Sequence, residues 1–155
     1  MQPDTTDMML VADLTDDELR VLSAEATTFI SSFRWCRKVR ESFLAVGVGG
    51  VIGVFLFRIE PASHGVDELL WVIVGDLPPA YLVCDDAPDW RGALRCYIYE
   101  MRKWVLAVRS GGSLSGVIPI KAEPTRAHAD MLASRLESIQ ERMIDDLSFD
   151  EQKRA

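Results

Sequence analysis

Histidine is almost absent from this sequence, since the only two, His64 and His128, lie 64 residues apart. The three cysteines, Cys36, Cys84 and Cys96, occur in or beside apolar segments and show no C-x-x-C spacing. A nucleophilic cysteine needs a polar, electropositive cleft that stabilises its thiolate. We therefore expect neither a Cys–His catalytic pair nor a metal centre built on these side chains.

The chain also lacks the short motifs of familiar enzymes. It contains no G-x-S-x-G, H-E-x-x-H or G-x-G-x-x-G sequence. The glycine-rich loop at 110–116 is not followed by the G-K-[ST] of a phosphate-binding loop, and an extended segment rather than a helix is predicted after it. These absences favour a protein with no enzymatic activity and no cofactor, and they leave the role of this loop open.

Positive charge is in deficit, because 17 Lys and Arg stand against 24 Asp and Glu and give a net charge of −7 at pH 7. Such a chain is repelled on average by a phosphate backbone and by an anionic lipid surface. No Lys or Arg precedes Arg20, and the first residues contain no apolar run of signal-peptide length. Together with the odd number of cysteines, this predicts a cytoplasmic protein that binds neither nucleic acid nor membranes.

One stretch, residues 43–57, has no charged or polar side chain, and its Gly49 and Gly53 have the G-x-x-x-G spacing of membrane helix pairs. As a helix it would rise only about 22 Å, whereas the hydrocarbon core of a bilayer is about 30 Å thick. Glycine weakens helices, and the Val, Ile and Phe of this stretch suit strands. The stretch therefore predicts a buried β-hairpin that turns within 47–50.

The length of 155 residues and the hydrophobic fraction of 48% suit one globular domain over 1–155, with flexible tails expected at 1–12 and 149–155. The first helix has the clearest boundary, because Thr15–Glu18 forms a capping box that predicts a helix from Asp16 to about Trp35. The other predicted elements are strands at about 40–47, 51–60, 69–75 and 80–85, a second helix at about 88–109, an extended edge segment near 117–120 and a third helix capped by Thr125.

These elements predict an α+β fold with an N-terminal helix, a four-stranded antiparallel β-meander and two C-terminal helices. The strands at 51–60 and 69–75 are apolar on both faces. Both faces of the sheet must therefore be covered, by helices or by a second copy of the protein. A homodimer is accordingly expected.

The segment GDLPP, residues 75–79, is a compact turn signal, because glycine permits unusual backbone angles and the two prolines fix φ. One interpretation is a rigid corner of the sheet. The other is a ligand cleft at the strand ends, with Asp76, Tyr81, Asp85 and Asp86 as its candidate residues. Asp86 is equally well placed to cap the second helix ahead of Pro88.

Four arginines of the second predicted helix, Arg91, Arg95, Arg102 and Arg109, lie within about 40° of one another beside its apolar stripe. One interpretation is a solvated flank that pairs internally, for example with the acidic face of the third helix. The other is an interaction surface, because the guanidinium fork suits carboxylates and arginine is enriched in protein interfaces. We call these four residues the arginine ridge. In a protein that is acidic as a whole, the arginine ridge favours a partner with an acidic surface.

The sequence thus favours a soluble, non-enzymatic protein–protein interaction module that recognises its partner through the arginine ridge. By analogy of class alone, small acidic α+β proteins without catalytic motifs include immunity proteins and other stand-alone bacterial binding proteins. The alternative is a small-molecule anion-binding protein or enzyme whose cleft lies around Asp76 and Asp85.

Overall fold

The computed structural model of the chain describes residues 3–146 and 148–149. Within them the chain forms five strands and three α-helices. The strands are β1 (Met9–Leu10), β2 (Cys36–Val48), β3 (Ile52–Pro61), β4 (Leu69–Gly75) and β5 (Ala80–Val83). The helices are α1 (Asp17–Ser31), α2 (Trp90–Ser110) and α3 (Arg126–Ile139), and α3 continues into a π-helical segment, Gln140–Asp145.

The strands form one antiparallel sheet in the order β1-β2-β3-β4-β5, so the predicted α+β class and the meander are confirmed. The sheet has one strand more than predicted. Met9 pairs with Leu44 and Leu10 with Phe43, so the segment 1–12, expected to be a flexible tail, contributes a short edge strand. Most of the other expected tail, 149–155, lies outside the described residues.

The α1 helix begins one residue later than predicted, because its N-cap is Asp16 rather than Thr15. The Asp16 carboxylate accepts a hydrogen bond from the Leu19 amide at 3.0 Å. The helix ends at Ser31, four residues before the predicted end at Trp35. Trp35 instead stacks on Phe33, with 5.0 Å between ring centroids, and β2 begins at the next residue.

The uncharged stretch 43–57 forms the predicted hairpin of β2 and β3. Gly47 pairs with Gly53 and Val48 with Ile52, and the turn between them places Gly50 at φ +73°. No helix in the described part of the chain is long and apolar enough to span a bilayer.

The sheet is buried on both faces. On one face it packs against α1, and this core includes Leu22, Ala26 and Ile30 from the helix and Leu44, Phe55, Phe57, Ile59, Leu70, Val72 and Val74 from the sheet. Residues that point to the other face are buried as deeply, with Val54, Leu56, Trp71 and Ile73 each at most 1% exposed.

The chain divides into two compact units, of which one ends at Ala93 and the other begins at Leu94. The boundary falls inside α2 rather than in a linker, and the single-domain organisation stays a prediction.

The Asp89 carboxylate caps α2, because it accepts a hydrogen bond from the Gly92 amide at 2.7 Å. The alternative cap, Asp86, lies in a 3₁₀ turn one residue before Ala87, and its side chain lies outside what the structure describes.

In the second unit, Thr125 caps α3 as predicted, since its hydroxyl accepts from the His128 amide at 3.2 Å. The His128 Nδ1 lies 3.1 Å from that hydroxyl and 3.0 Å from the Glu123 carbonyl oxygen, so this histidine belongs to the cap. The extended edge segment expected near 117–120 forms no strand pairing in the structure. The segment contains Pro119, which cannot donate a ladder hydrogen bond.

Gly75 fixes the corner between β4 and β5. Its φ is +144°, and the next amide, of Asp76, donates to the Val51 carbonyl oxygen at 2.9 Å. A Cβ on Gly75 would overlap that same oxygen and lie 2.8 Å from the Ile52 Cα. The GDLPP corner is therefore held directly against the β2–β3 turn, which supports the corner interpretation of this segment.

We expect Gly75→Ala to lower the free energy of unfolding by about 3 kcal/mol. The alanine would be strained at this φ angle, and its methyl group would overlap the Val51 carbonyl oxygen. Gly50→Ala is the matched control, since Gly50 has φ +73° but no atom within 4 Å of its Cβ position. It should cost about 1 kcal/mol. Urea denaturation measures both values, and equal losses would show that the contact with Val51 contributes nothing.

Candidate interaction site

The four ridge arginines have different environments in the structure. Arg91 is half-buried, and its guanidinium carbon lies 4.6 Å from the centroid of the Trp90 ring. Arg109 donates from Nε and Nη2 to one carboxylate oxygen of Asp130 in α3, at 3.0 and 2.7 Å. Internal pairing with α3 is thus correct for Arg109, which leaves Arg95 and Arg102 as the arginines available for a partner.

Two exposed apolar side chains that the sequence patterns did not single out lie between those arginines. Tyr99 is 63% exposed and Leu106 is 66% exposed, whereas most large apolar residues of the chain are buried. Residues 95, 99, 102 and 106 follow one another at intervals of four, three and four, which places them on one face of α2. We call Arg95, Tyr99, Arg102 and Leu106 the α2 stripe.

The α2 stripe is locally positive although the chain as a whole is acidic. Arg95 and Arg102 are exposed, and no other described residue forms an ion pair with either. Lys103 lies beside the stripe, where its Nζ is 4.6 Å from the Tyr99 ring centroid and 3.3 Å from Glu100 Oε1. The Tyr99 ring thus packs under a cation while most of its surface faces solvent.

The amino-acid sequence does carry a signal for the stripe. Tyr99 and Leu106 lie off the apolar stripe of α2, within about 40° of Arg95 around the helix axis. An aromatic and an aliphatic residue at such positions have no core to pack into. Their presence among arginines is therefore a pattern typical of a protein interface.

The candidate cleft residues Asp76 and Asp85 are not brought together. In the β4–β5 hairpin, Ile73 pairs with Ala80 and Leu70 with Val83. Asp76 follows the end of β4 at the turn, whereas Asp85 follows the end of β5 at the opposite end of the hairpin. One small ligand cannot reach both carboxylates, because about three residue steps of strand, roughly 10 Å, lie between those two pairs alone.

Tyr81 belongs to an aromatic cluster on the α1 side of the sheet. Its ring centroid lies 5.1 Å from that of Phe33, 4.9 Å from that of Trp35 and 6.5 Å from that of Phe29. Tyr81 is 37% exposed, and the other three rings are half-buried. The cluster is an apolar surface feature, not the wall of a carboxylate cleft.

A groove does exist near Asp76, between α1 and the GDLPP corner, and we call it the α1 groove. Its larger part, of about 550 Å³, is lined by Val21, Ala24, Glu25, Thr28, Phe29, Val74, Gly75, Leu77 and Pro79. A smaller part, of about 370 Å³, adds Glu18, Leu22, Gly50 and Asp76. The two parts share Val21, Glu25 and Gly75, so they form one continuous depression.

Two of the three cysteines, Cys36 and Cys84, lie in buried surroundings that suppress the reactivity of their thiols. Burial raises the pKa of the Cys36 thiol. Burial also raises the pKa of Cys84 to about 11, with a smaller contribution from the negative charges of Asp85 and Asp67. The described residues contain no group of three or more His, Cys, Asp or Glu side chains arranged to hold a metal ion.

No protein-family model, no curated protein and no solved structure matches this chain. The α2 stripe and the α1 groove are therefore the surface features from which a function can be inferred.

We expect iodoacetamide at pH 8 to modify Cys96, which is half-exposed, at least about tenfold faster than Cys84 in the folded protein. With a pKa of about 11, Cys84 is a thiolate in about one molecule in a thousand at this pH. Peptide mass spectrometry gives the rate at each site, and concentrated urea provides the control in which the cysteines react alike. Equal rates in the folded protein would contradict the burial of Cys84.

Proposed function

We propose that this protein is a soluble, non-enzymatic interaction module of the cytoplasm, and that its α2 stripe binds an acidic surface of a partner protein. The observation that supports this most directly is the exposure of Tyr99 and Leu106 between Arg95 and Arg102. The proposed cytoplasmic location is supported by the odd number of cysteines, which show no C-x-x-C spacing.

The composition of the stripe supports an interface rather than a solvated helix face. Tyrosine and arginine, together with tryptophan, are enriched among the residues that carry most of the binding energy at protein interfaces. Two apolar side chains with more than half of their surface exposed gain free energy when a partner covers them, at about 25 cal/mol per Å². The neighbouring guanidinium groups add direction, because they pair with carboxylates through two parallel hydrogen bonds.

The charge of the stripe selects the partner. A nucleic acid also carries acidic groups, but the net charge of −7 opposes its approach. A protein surface can place a few carboxylates opposite Arg95 and Arg102 without a long polyanionic backbone. The alternative anion-binding cleft around Asp76 and Asp85 gains no support, since the two residues lie at opposite ends of a hairpin.

We expect a tagged form of the protein to capture a stoichiometric partner from lysate of the cells that naturally make it. Arg95→Glu combined with Arg102→Glu should abolish this capture, because the charge opposite the partner's carboxylates is reversed. Tyr99→Ser or Leu106→Ser should weaken it at least about tenfold, since each removes exposed apolar surface that the partner covers. Mass spectrometry identifies and quantifies the captured protein.

The matched control is Arg126→Glu combined with Arg142→Glu, which changes the net charge equally at two other exposed arginines. Circular dichroism confirms that all variants are folded. If the control variant loses the partner as completely as the stripe variant, net charge and not the α2 stripe explains the capture. Recovery of the tagged protein alone from every sample would contradict the proposal that the stripe binds a partner.

The homodimer expected from the sequence is tested separately. Because the sheet is buried on both faces, a dimer that leaves the α2 stripe free for its partner has to use other exposed surface. Light scattering at tens of micromolar should give twice the chain mass of 17.4 kDa. A single-chain mass would remove the dimer and leave the acidic partner as the proposal.

A further inference from the structure

The α1 groove is a second surface, and its charge is opposite to that of the α2 stripe. We propose that it binds a basic amphipathic helix of a partner protein. This inference goes beyond the proposed function, because it concerns a different surface and a partner segment of the opposite charge.

The apolar part of the groove is built from residues of both of its walls. Val21, on α1, is 59% exposed although α1 packs its opposite face into the core. Leu77 and Pro79 of the corner and the buried Val74 also line the groove. Apolar side chains from a helix are the groups that such a groove accepts.

The polar groups of the groove have one sign of charge. Carboxylates of Glu18, Glu25 and Asp76 line it, and none of the described residues that line either part is a Lys or Arg. Glu18 and Glu25 are exposed on α1, seven residues apart, and therefore face the same way. A partner with Lys or Arg beside its apolar residues complements both features of the groove.

The dimensions suit a short helix. From Glu18 to Phe29 the α1 axis rises about 16 Å, which equals about three turns of a helix laid along it. At the Phe29 end the groove reaches the aromatic cluster, because Phe29 lines the groove and also contacts Phe33 with 5.2 Å between ring centroids. Aromatic rings at that end provide an anchoring surface for a bulky apolar side chain.

The openness of the groove argues against a small molecule as its occupant. Small-molecule sites enclose about 70–90% of the ligand surface. Here Glu25, Thr28 and Pro79 are exposed, and Val21 keeps more than half of its surface in solvent. A shallow channel beside a helix can cover one face of a peptide helix but cannot surround a compact ligand.

The corner gives the groove a rigid wall. Gly75 is held against Val51 by the close backbone approach described above, and Pro78 and Pro79 restrict the chain that follows. A preformed wall lowers the entropy lost on binding. The GDLPP segment is in this way both a sheet corner and part of a binding surface.

The test uses the purified full-length protein and a fluorescein-labelled amphipathic peptide of about 14 residues, composed of leucine and lysine on separate faces. Fluorescence anisotropy measures its dissociation constant. A peptide with glutamate in place of lysine serves as the charge control and should not bind. Lack of binding of the lysine peptide at about 100 µM protein would overturn the proposal.

Two pairs of variants distinguish peptide binding in the groove from general electrostatic attraction to the protein. Glu25→Lys should weaken peptide binding at least about tenfold relative to Glu137→Lys, which makes the same charge change at an exposed site on α3. Val21→Asp should weaken it about tenfold, although it adds a negative charge, because it removes apolar surface in the groove. Met131→Asp, at a residue 51% exposed on α3, is its control.

Equal effects of Glu25→Lys and Glu137→Lys, or unchanged or tighter binding by Val21→Asp, would show that net charge alone attracts the peptide and would overturn the proposal. Tyr99→Ser combined with Leu106→Ser should leave peptide binding unchanged. The result for the groove is therefore distinguishable from a failure of the α2 stripe to bind its own partner.

Discussion

Burial of β3 on both of its faces is the constraint on which the rest of this structure depends. Every residue from Ile52 to Phe57 is buried, and alternate side chains point to opposite faces of the sheet. Apart from Ser23, whose hydroxyl donates to the Arg20 carbonyl oxygen at 3.0 Å, the buried residues of the described chain are apolar, aromatic or cysteine. Groups that could recognise another molecule are consequently left on outer helix faces and at the sheet corner.

The elements that could be predicted from the sequence are those with a strong local signal. The hairpin of 43–57 followed from uninterrupted apolar side chains around glycines, and the cap of α3 followed from one threonine ahead of a periodic segment. The short strand Met9–Leu10 could not be predicted, because two residues carry no periodicity and their pairing with β2 is a tertiary contact. The end of α1 was placed too late, because Phe33 and Trp35 continue its apolar pattern but pack as rings outside the helix.

The candidate sites were predictable to a different extent. Helical geometry was sufficient to place the arginines on one side of α2, but the ion pair of Arg109 with Asp130 depends on how α3 packs within the second unit. The structure does not bring the two cleft candidates Asp76 and Asp85 together, for a simpler reason. Proximity in sequence across a hairpin does not give proximity in space, since residues that follow each of two antiparallel strands lie at opposite ends.

At the α2 stripe and in the α1 groove, exposed apolar residues lie beside charged side chains, which are mainly positive in the stripe and negative in the groove. Tyr99 and Leu106 lie among arginines, whereas Val21 lies between Glu18 and Glu25. Apolar surface supplies binding free energy, and the neighbouring charge restricts which partners can use it. This combination on a fold with a closed apolar core is the physical basis for proposing an interaction module.

The most direct test of that claim is photocrosslinking in the cells that naturally make the protein, with benzoylphenylalanine placed at position 99, at position 106 or, as a control, at exposed position 131. The account predicts one dominant adduct from positions 99 and 106, with an acidic segment of the partner at the crosslink, and none from position 131. The same adducts from all three positions, or no adduct from positions 99 and 106, would contradict it.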